Sequence, residues 1–203
     1  MNRAKIHLSE EELQLLQNAE WVLTKNKIIS KVYDLFGMVA EQMQTIIQSE
    51  PLPEGIAAGT PKISRGENYN GLPYVMLDYP RVFGKEDIFA IRSFFWWGNY
   101  FSITLHLKGA YKRMFVDVIQ KKVPLLATNH FFISIADDEW KHEIDEHAYM
   151  LLQNVSTDDI RRLLHRHDHL KISSMISFAE WADAGKRFVE LFGILLKTIS
   201  DDR

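Results

Sequence analysis

The sequence predicts an α+β fold: a mainly antiparallel sheet of about four to five strands packed against long N- and C-terminal helices. Three observations predict it. Aromatic and β-branched runs gather in the middle of the chain, helical periodicities flank them on both sides, and the regular βαβ alternation of a parallel sheet is absent. The clearest strand pair is the stretch from Asp87 to Lys108, DIFAIRSFFWWGNYFSITLHLK, where two such runs flank Gly98-Asn99, a two-residue hairpin signal. Glycine at the first turn position suits a turn that needs positive φ there. With that turn, Ile91 faces His106 and Arg92 faces Leu105. One face then carries Trp96, Phe94, Arg92 and Ala90 opposite Phe101, Ile103, Leu105 and Leu107. An arginine inside so apolar a row calls for a partner or a ligand.

The flanking elements follow in order. Ser9 followed by Glu10, Glu11 and Glu12 is a capping box, with acids that complement the dipole of the helix they open. Leu13, Leu16, Ala19 and Leu23 recur at helical spacing. A polar break, Thr24-Lys25-Asn26-Lys27, precedes the wide stripe Ile29, Tyr33, Phe36, Ala40, Met43 and Ile47, which predicts a helix packed on two sides. With no Gly or Pro at the break, residues 9–49 read either as one helix or as a helical pair. Residues 50–73 are dense in Pro, Gly and Asn and read as one long loop, of the length that is often functional. Tyr74 to Tyr79 reads as a strand ended by Pro80. Tyr111 to Ile119 reads as a helix stopped by Lys121, Lys122 and Pro124, and Phe131 to Ile135 as a strand. Asp137 to Gln153, with acids in its first turn and an apolar stripe on Trp140, Ile144, Ala148 and Leu151, reads as a helix. Thr157 caps a further helix to about His165, Leu170 to Phe178 alternates as a strand, and Glu180 to Ile199 closes the chain as an amphipathic helix.

Composition narrows the function classes. A chain of 203 residues with 46% apolar and 12% aromatic side chains can build a real core, and its length predicts a single globular domain over 1–203. A net charge of -3 argues against non-specific nucleic-acid binding, which needs a basic field. With no cysteine there is no thiolate chemistry and no Cys-ligated metal. The start, MNRAKIHLSEEE, lacks the apolar stretch of a signal peptide, and no apolar run approaches the roughly 20 residues that cross a bilayer. The expectation is a soluble cytoplasmic protein with no membrane and no nucleic-acid partner.

Three groups of residues are candidates for a site. The first is Asp78, Tyr79, Arg81, Arg92 and His106, with Trp96 and Trp97 nearby. The arginine forks offer planar donors for a carboxylate or phosphate, and the indoles offer a platform for a ring. The competing expectation is an internal Arg92–Asp78 pair within an aromatic core. The second is histidine density: five of the eight histidines, His142, His147, His165, His167 and His169, fall in one window rich in carboxylates. Neutral imidazoles bind Zn, Ni or Fe, but a single Glu139-x-x-His142 lacks the second copy that a helical di-iron site needs, and HEIDEH misses the spacing of H-E-x-x-H. A solvated, titratable surface is the plainer expectation. The third is the glycine-rich loop, where Gly55, Gly59, Thr60 and Lys62 do not match a P-loop and Pro61 removes a donor. Lys62 and Arg65 would then serve at most as a lid over an anion.

No nucleophile elbow, dinucleotide fingerprint or CxxC pair is present, so no catalytic residue and no cofactor is assigned. The leading expectation is a binding or interaction module whose site comprises Arg92, Arg81, His106, Trp96, Trp97 and Asp78, and which takes a small anionic ligand or a protein partner. The alternative is a metal-dependent, hydrolase-like enzyme using the histidines between His142 and His169.

Overall fold

The computed structural model describes residues 6–200 apart from Glu50, Pro51, Glu54 and Ala58. Among the described residues there are five α-helices: α1 (Glu10–Gln17), α2 (Ala19–Ser49), α3 (Gly109–Thr128), α4 (Thr157–Arg166) and α5 (Ala184–Ile199). Seven strands are present: β1 (Lys62–Tyr69), β2 (Leu72–Phe83), β3 (Ile88–Trp96), β4 (Tyr100–Lys108), β5 (Phe132–Ser134), β6 (Tyr149–Leu151) and β7 (His169–Ile176). They form one sheet in the order β1-β2-β3-β4-β7-β5-β6, with every neighbouring pair antiparallel. The fold is therefore α+β as expected, but with seven strands rather than four or five. The additional strands came from two places. β1 forms inside the supposed 50–73 loop, where Asn70-Gly71 turns the chain back into β2, and three-residue β6 is too short to announce itself.

One face of the sheet carries Val75, Leu77, Phe89, Ile91, Phe95, Phe101, Ile103, Leu105, Leu107, Leu170, Ile172 and Ile176. These pack in one core with Phe36 and Met43 of α2, Phe115 and Ile119 of α3, and Phe188, Phe192 and Leu195 of α5. All nine residues of β3 are buried, so the second face is covered as well. That cover is the segment Ile135–His147, a strap without regular helix between β5 and β6. Where a strand is covered on both sides its sequence reads as a continuous apolar run, which is how IFAIRSFFW reads apart from Arg92 and Ser93.

The hairpin register differs from expectation by one residue. The loop between β3 and β4 has three residues, Trp97, Gly98 and Asn99, and the Asn99 amide donates to the Trp96 carbonyl at 3.1 Å with Gly98 at φ +74°. Arg92 accordingly pairs with Thr104, not Leu105, and Ala90 pairs with His106. Because side chains alternate, a single step moves the whole companion set. Arg92, Phe94 and Trp96 share their face with Tyr100, Ser102, Thr104 and His106, while Phe101, Ile103, Leu105 and Leu107 join the helix-covered core.

Further boundaries moved, among them the start of the C-terminal helix, which begins at Ala184 after a 3-10 turn rather than at Glu180. The break in residues 9–49 falls at Asn18, whose side-chain oxygen accepts from the Trp21 amide at 3.1 Å; Thr24–Lys27 continues in α2 because nothing in it opposes a helix. α3 runs through Pro124 to Thr128. β2 continues past the cis Tyr79–Pro80 bond, with its register shifting between Asp78 and Arg81. α4 is capped by Ser156, not Thr157, with the Ser156 side chain accepting from the Asp159 amide.

The largest departure is Asp137–Gln153, which is not a helix. Its backbone donors have other acceptors. The Tyr69 hydroxyl accepts from the amides of His142 (2.7 Å) and Glu143 (3.1 Å), and the Tyr100 hydroxyl accepts from Ile144 (2.7 Å). Asp138 accepts from the Trp140 amide at 2.8 Å, and Asp145 from those of His147 and Ala148 at 2.9 and 2.8 Å. Short acidic side chains that bond nearby amides compete directly with helix formation.

At the start of α3 the Asp87 carboxylate, from the turn before β3, accepts from the Ala110 amide at 2.6 Å and so caps the helix from outside its own sequence. Gly109 sits there at φ +59°, and a Cβ on it would lie 2.3 Å from both Asp87 Oδ1 and the Glu86 carbonyl.

Candidate functional site

The face of the sheet beneath the strap holds most of the charged residues singled out by sequence. Arg92 is buried and bonds Asp78 through two donors, Nε to Oδ1 at 2.7 Å and Nη2 to Oδ2 at 3.0 Å. Its Nη1 lies 3.0 Å from His142 Nε2. A guanidinium only donates, so that ring nitrogen carries its lone pair and His142 is neutral. Arg92 thus links β2 and β3 to the strap.

His106, from β4, is also buried, and pairs across the strands with Lys171 of β7, which is 1% exposed. The Lys171 ammonium donates to the Lys141 carbonyl on the strap and lies 5.8 Å from the centre of the Tyr149 ring. Glu139 reaches in from the strap: its Oε1 takes Lys108 Nζ at 2.8 Å, and its Oε2 lies 3.3 Å from His106 Nε2 without the alignment of a hydrogen bond. His167 and His169 stack with centroids 5.1 Å apart, and the His169 ring lies 6.4 Å from that of His106. Next to them Thr104 and Ser173 share a 2.8 Å hydroxyl contact.

This environment sets the protonation states. Burial, then the neighbouring charges of Lys171 and Arg92, hold both His106 and His142 far below the ordinary imidazole value. Burial, then the charge of His167, lowers His169. Burial and then Arg92 bring Lys171 down to about 7, so a substantial fraction of this amine is neutral at physiological pH.

Each expected site residue can now be placed. Asp78, Arg92 and His106 lie together beneath the strap. Trp96 is buried on the same face, and its indole N–H donates to the Tyr69 carbonyl at 3.2 Å. Arg81 lies beyond the bulge in β2, where its Nε donates to the Thr60 carbonyl at 3.3 Å. Trp97 stands in the hairpin loop and packs edge-on to Phe95 with centroids 6.2 Å apart. Lys62 and Arg65 belong to β1, paired with Asp78 and Val75, and form no lid. The histidine window divides: His142 and His169 are turned inward, which corrects the solvated-surface expectation for both, while His147 and His165 are exposed. Sequence reasoning weighed Glu139 only as half of a di-iron motif, and it did not bring Lys171, Tyr69 or Tyr100 to this site. Only Lys171 carried a usable signal, as a lysine in the middle of an alternating apolar strand.

Trp97 also borders an apolar pocket. Ile28, Phe95, Trp97, Gly98, Phe178 and Trp181 line a pocket of about 370 Å³ where α2, the hairpin loop and the turn before α5 meet. Among the described residues, no charged side chain lines it. Among the described residues, no three His, Cys, Asp or Glu side chains are grouped to hold a metal ion. No helix among them is long and apolar enough to cross a membrane. No family model matches the chain, and no curated protein or solved structure matches it.

The neutral histidines impose a pH dependence. In the unfolded chain His106 and His142 take protons near pH 6.5, whereas in the folded protein they do not. Stability present above that pH is therefore lost as pH falls, by about 1.4 kcal/mol per unit for each histidine. Lys171 acts in the same direction over a higher pH range. The unfolded lysine keeps its proton to about pH 10.5 while the folded one releases it near 7, so stability rises between those values. Urea unfolding from pH 5 to pH 9 is expected to show both limbs, and Lys171→Met to flatten the alkaline one alone. A curve flat across this range would contradict the described protonation states.

Proposed function

We propose that this chain is a binding module, and that it docks an apolar or aromatic group in the pocket at the hairpin end. The observation that carries this reading is the pocket itself: a concave site of about 370 Å³ walled by Phe95, Trp97, Phe178 and Trp181. Its size and lining are those of sites that take small apolar groups. The arginines contribute less than the sequence suggested. Arg92 has its donors on Asp78 and His142 beneath the strap, and Arg81 holds the Thr60 carbonyl. An anionic group on the ligand would therefore lie at the rim and add little.

One observation favours the metal-dependent alternative. His106 Nε2, His167 Nε2, His169 Nε2 and Glu139 Oε2 are all buried without a protein hydrogen-bond partner, in one corner of the site. Imidazole and carboxylate are a donor set that divalent zinc accepts. Against it stand the charges of Arg92, Lys108 and Lys171 around His106 and, among the described residues, the lack of three donors grouped to share an ion.

Indole and indole-3-carboxylate separate the possibilities as a matched pair of probes. In heteronuclear NMR titrations both are expected to shift the Trp97 and Trp181 indole N–H signals, with similar affinities. Failure of both to perturb these signals would overturn the pocket reading. A strong preference for the carboxylate would restore an anion site. Stoichiometric zinc, nickel or iron in protein purified without an affinity tag would shift the assignment to the metal-dependent enzyme.

A further inference from the structure

The N-terminal arm, α1 together with the first turns of α2 before Ile29, is exposed, while the rest of α2 joins the core. No residue of α1 is buried, and α2 has no buried residue before Ile29. Leu13, Leu15 and Leu16 of α1 are 45%, 53% and 72% exposed, and Trp21, Val22 and Leu23 of α2 are 47%, 45% and 58% exposed. Ile6 and Leu8, before α1, are 72% and 55% exposed. A lone exposed leucine needs no explanation, but a contiguous patch of several hundred Å² is the mark of an interaction surface. The amphipathic pattern itself exists: α1 has a complete capping box on Ser9 and Glu12, so it is a built helix lacking only something to pack on.

The base of this arm is the pocket. Ile28, one of its walls, lies two turns past Trp21 on the same face of α2. Apolar arm and apolar socket therefore adjoin on one molecule, which is the arrangement that two copies can satisfy for each other.

Charge gives the orientation. Glu10 and Glu11 are exposed toward the tip of the arm, and Lys27 and Lys31 are exposed at its base, with Asp34 the exposed acid beyond them. Lys25, between them, is already held by Glu67 of β1 at 2.7 Å. Two arms laid antiparallel bring the acidic tip of each onto the basic base of the other. Two arms laid parallel would set like charges together. A pattern that is complementary to itself under a two-fold rotation is the signature of an isologous dimer.

We infer that the chain forms a two-fold homodimer in which α1 of each copy lies antiparallel to the first turns of α2 of the other, seating Leu13 and Leu16 at the pocket of Trp97 and Trp181. The inference rests on the pocket reading above and names the occupant: a second copy of this chain. It also accounts for the absence of charge in the pocket lining, since leucine side chains need none. The paired arms cover apolar surface that a monomer would leave in water.

The test is sedimentation equilibrium on the full chain, with circular dichroism as the check on folding. Wild-type protein is expected to show twice the chain mass. L13E/L16E is expected to be folded and monomeric, because neither leucine contributes to the core of its own copy. K27E/K31E is expected to weaken the dimer at least tenfold. Adding E10K/E11K to that variant is expected to restore it, a rescue that a partner of another sequence would not produce. A wild-type monomer at the highest soluble concentration overturns the inference, as does a dimer indifferent to L13E/L16E. Should L13E/L16E lose its fold, the charge-swap pair alone decides, and lack of rescue overturns the inference. Because the dimer would fill the pocket with Leu13 and Leu16, the indole titration is made on the monomeric L13E/L16E protein: no binding there overturns the pocket reading, whereas binding there with a monomeric wild type leaves that reading standing and removes only its occupant.

Discussion

The second face of the sheet depends on Arg92. A guanidinium in the middle of a strand buried on both sides has to find its acceptors inside the protein, since removing an ion from water costs several kcal/mol. Asp78 on the neighbouring strand supplies the charge and two acceptor oxygens, and His142 supplies a third acceptor from the strap. The last of these contacts has structural consequences beyond its own energy. It brings the strap down over the sheet at the point where Tyr69 and Tyr100 can bond the amides of His142, Glu143 and Ile144. Those amides would otherwise enter a helix. The same closure buries His106 and Lys171 and sets their protonation.

The two faces of the sheet are accordingly held by different forces. On one, apolar side chains from β2, β3, β4 and β7 meet α2, α3 and α5, and burial of apolar area drives assembly with little directional demand. On the other, directional bonds among Asp78, Arg92, His142, Lys171 and the two tyrosines define the geometry, and the cost of leaving any of them unpaired specifies it. Such a polar layer makes one arrangement of the strap far better than its neighbours. At the hairpin end, where Trp97 leaves the sheet, an apolar pocket remains open.

The legible part of the fold was the part governed by periodicity. The α2 stripe, the β3–β4 hairpin, β7 and the C-terminal helix follow from apolar spacing, and the capping box on Ser9 stands as read. What escaped was governed by partners distant in sequence. The strap has a helical apolar stripe, yet its donors go to tyrosines some 44 to 74 positions away. β1 has too little apolar alternation to be seen without the strand it pairs with. The hairpin register turned on one residue: Gly98 was legible as a turn residue, but its position within the turn was not, and with it went the identity of every side chain beside Arg92. For the candidate site, the internal Arg92–Asp78 pair was readable as the competing expectation. The inward turn of His142 and His169 was not, because exposure is a property of the strap and β7 in place.

The central claim is that Arg92 and Asp78 act as one buried unit that holds the strap. A double-mutant cycle with Arg92→Met, Asp78→Leu and the two together, measured by urea unfolding at neutral pH, tests it most directly. Each single change strands a buried charge and is expected to cost about 3–5 kcal/mol, whereas the pair replaced together by apolar side chains is expected to recover most of that loss. Losses that simply add, or single changes that cost less than about 1 kcal/mol, would contradict the account.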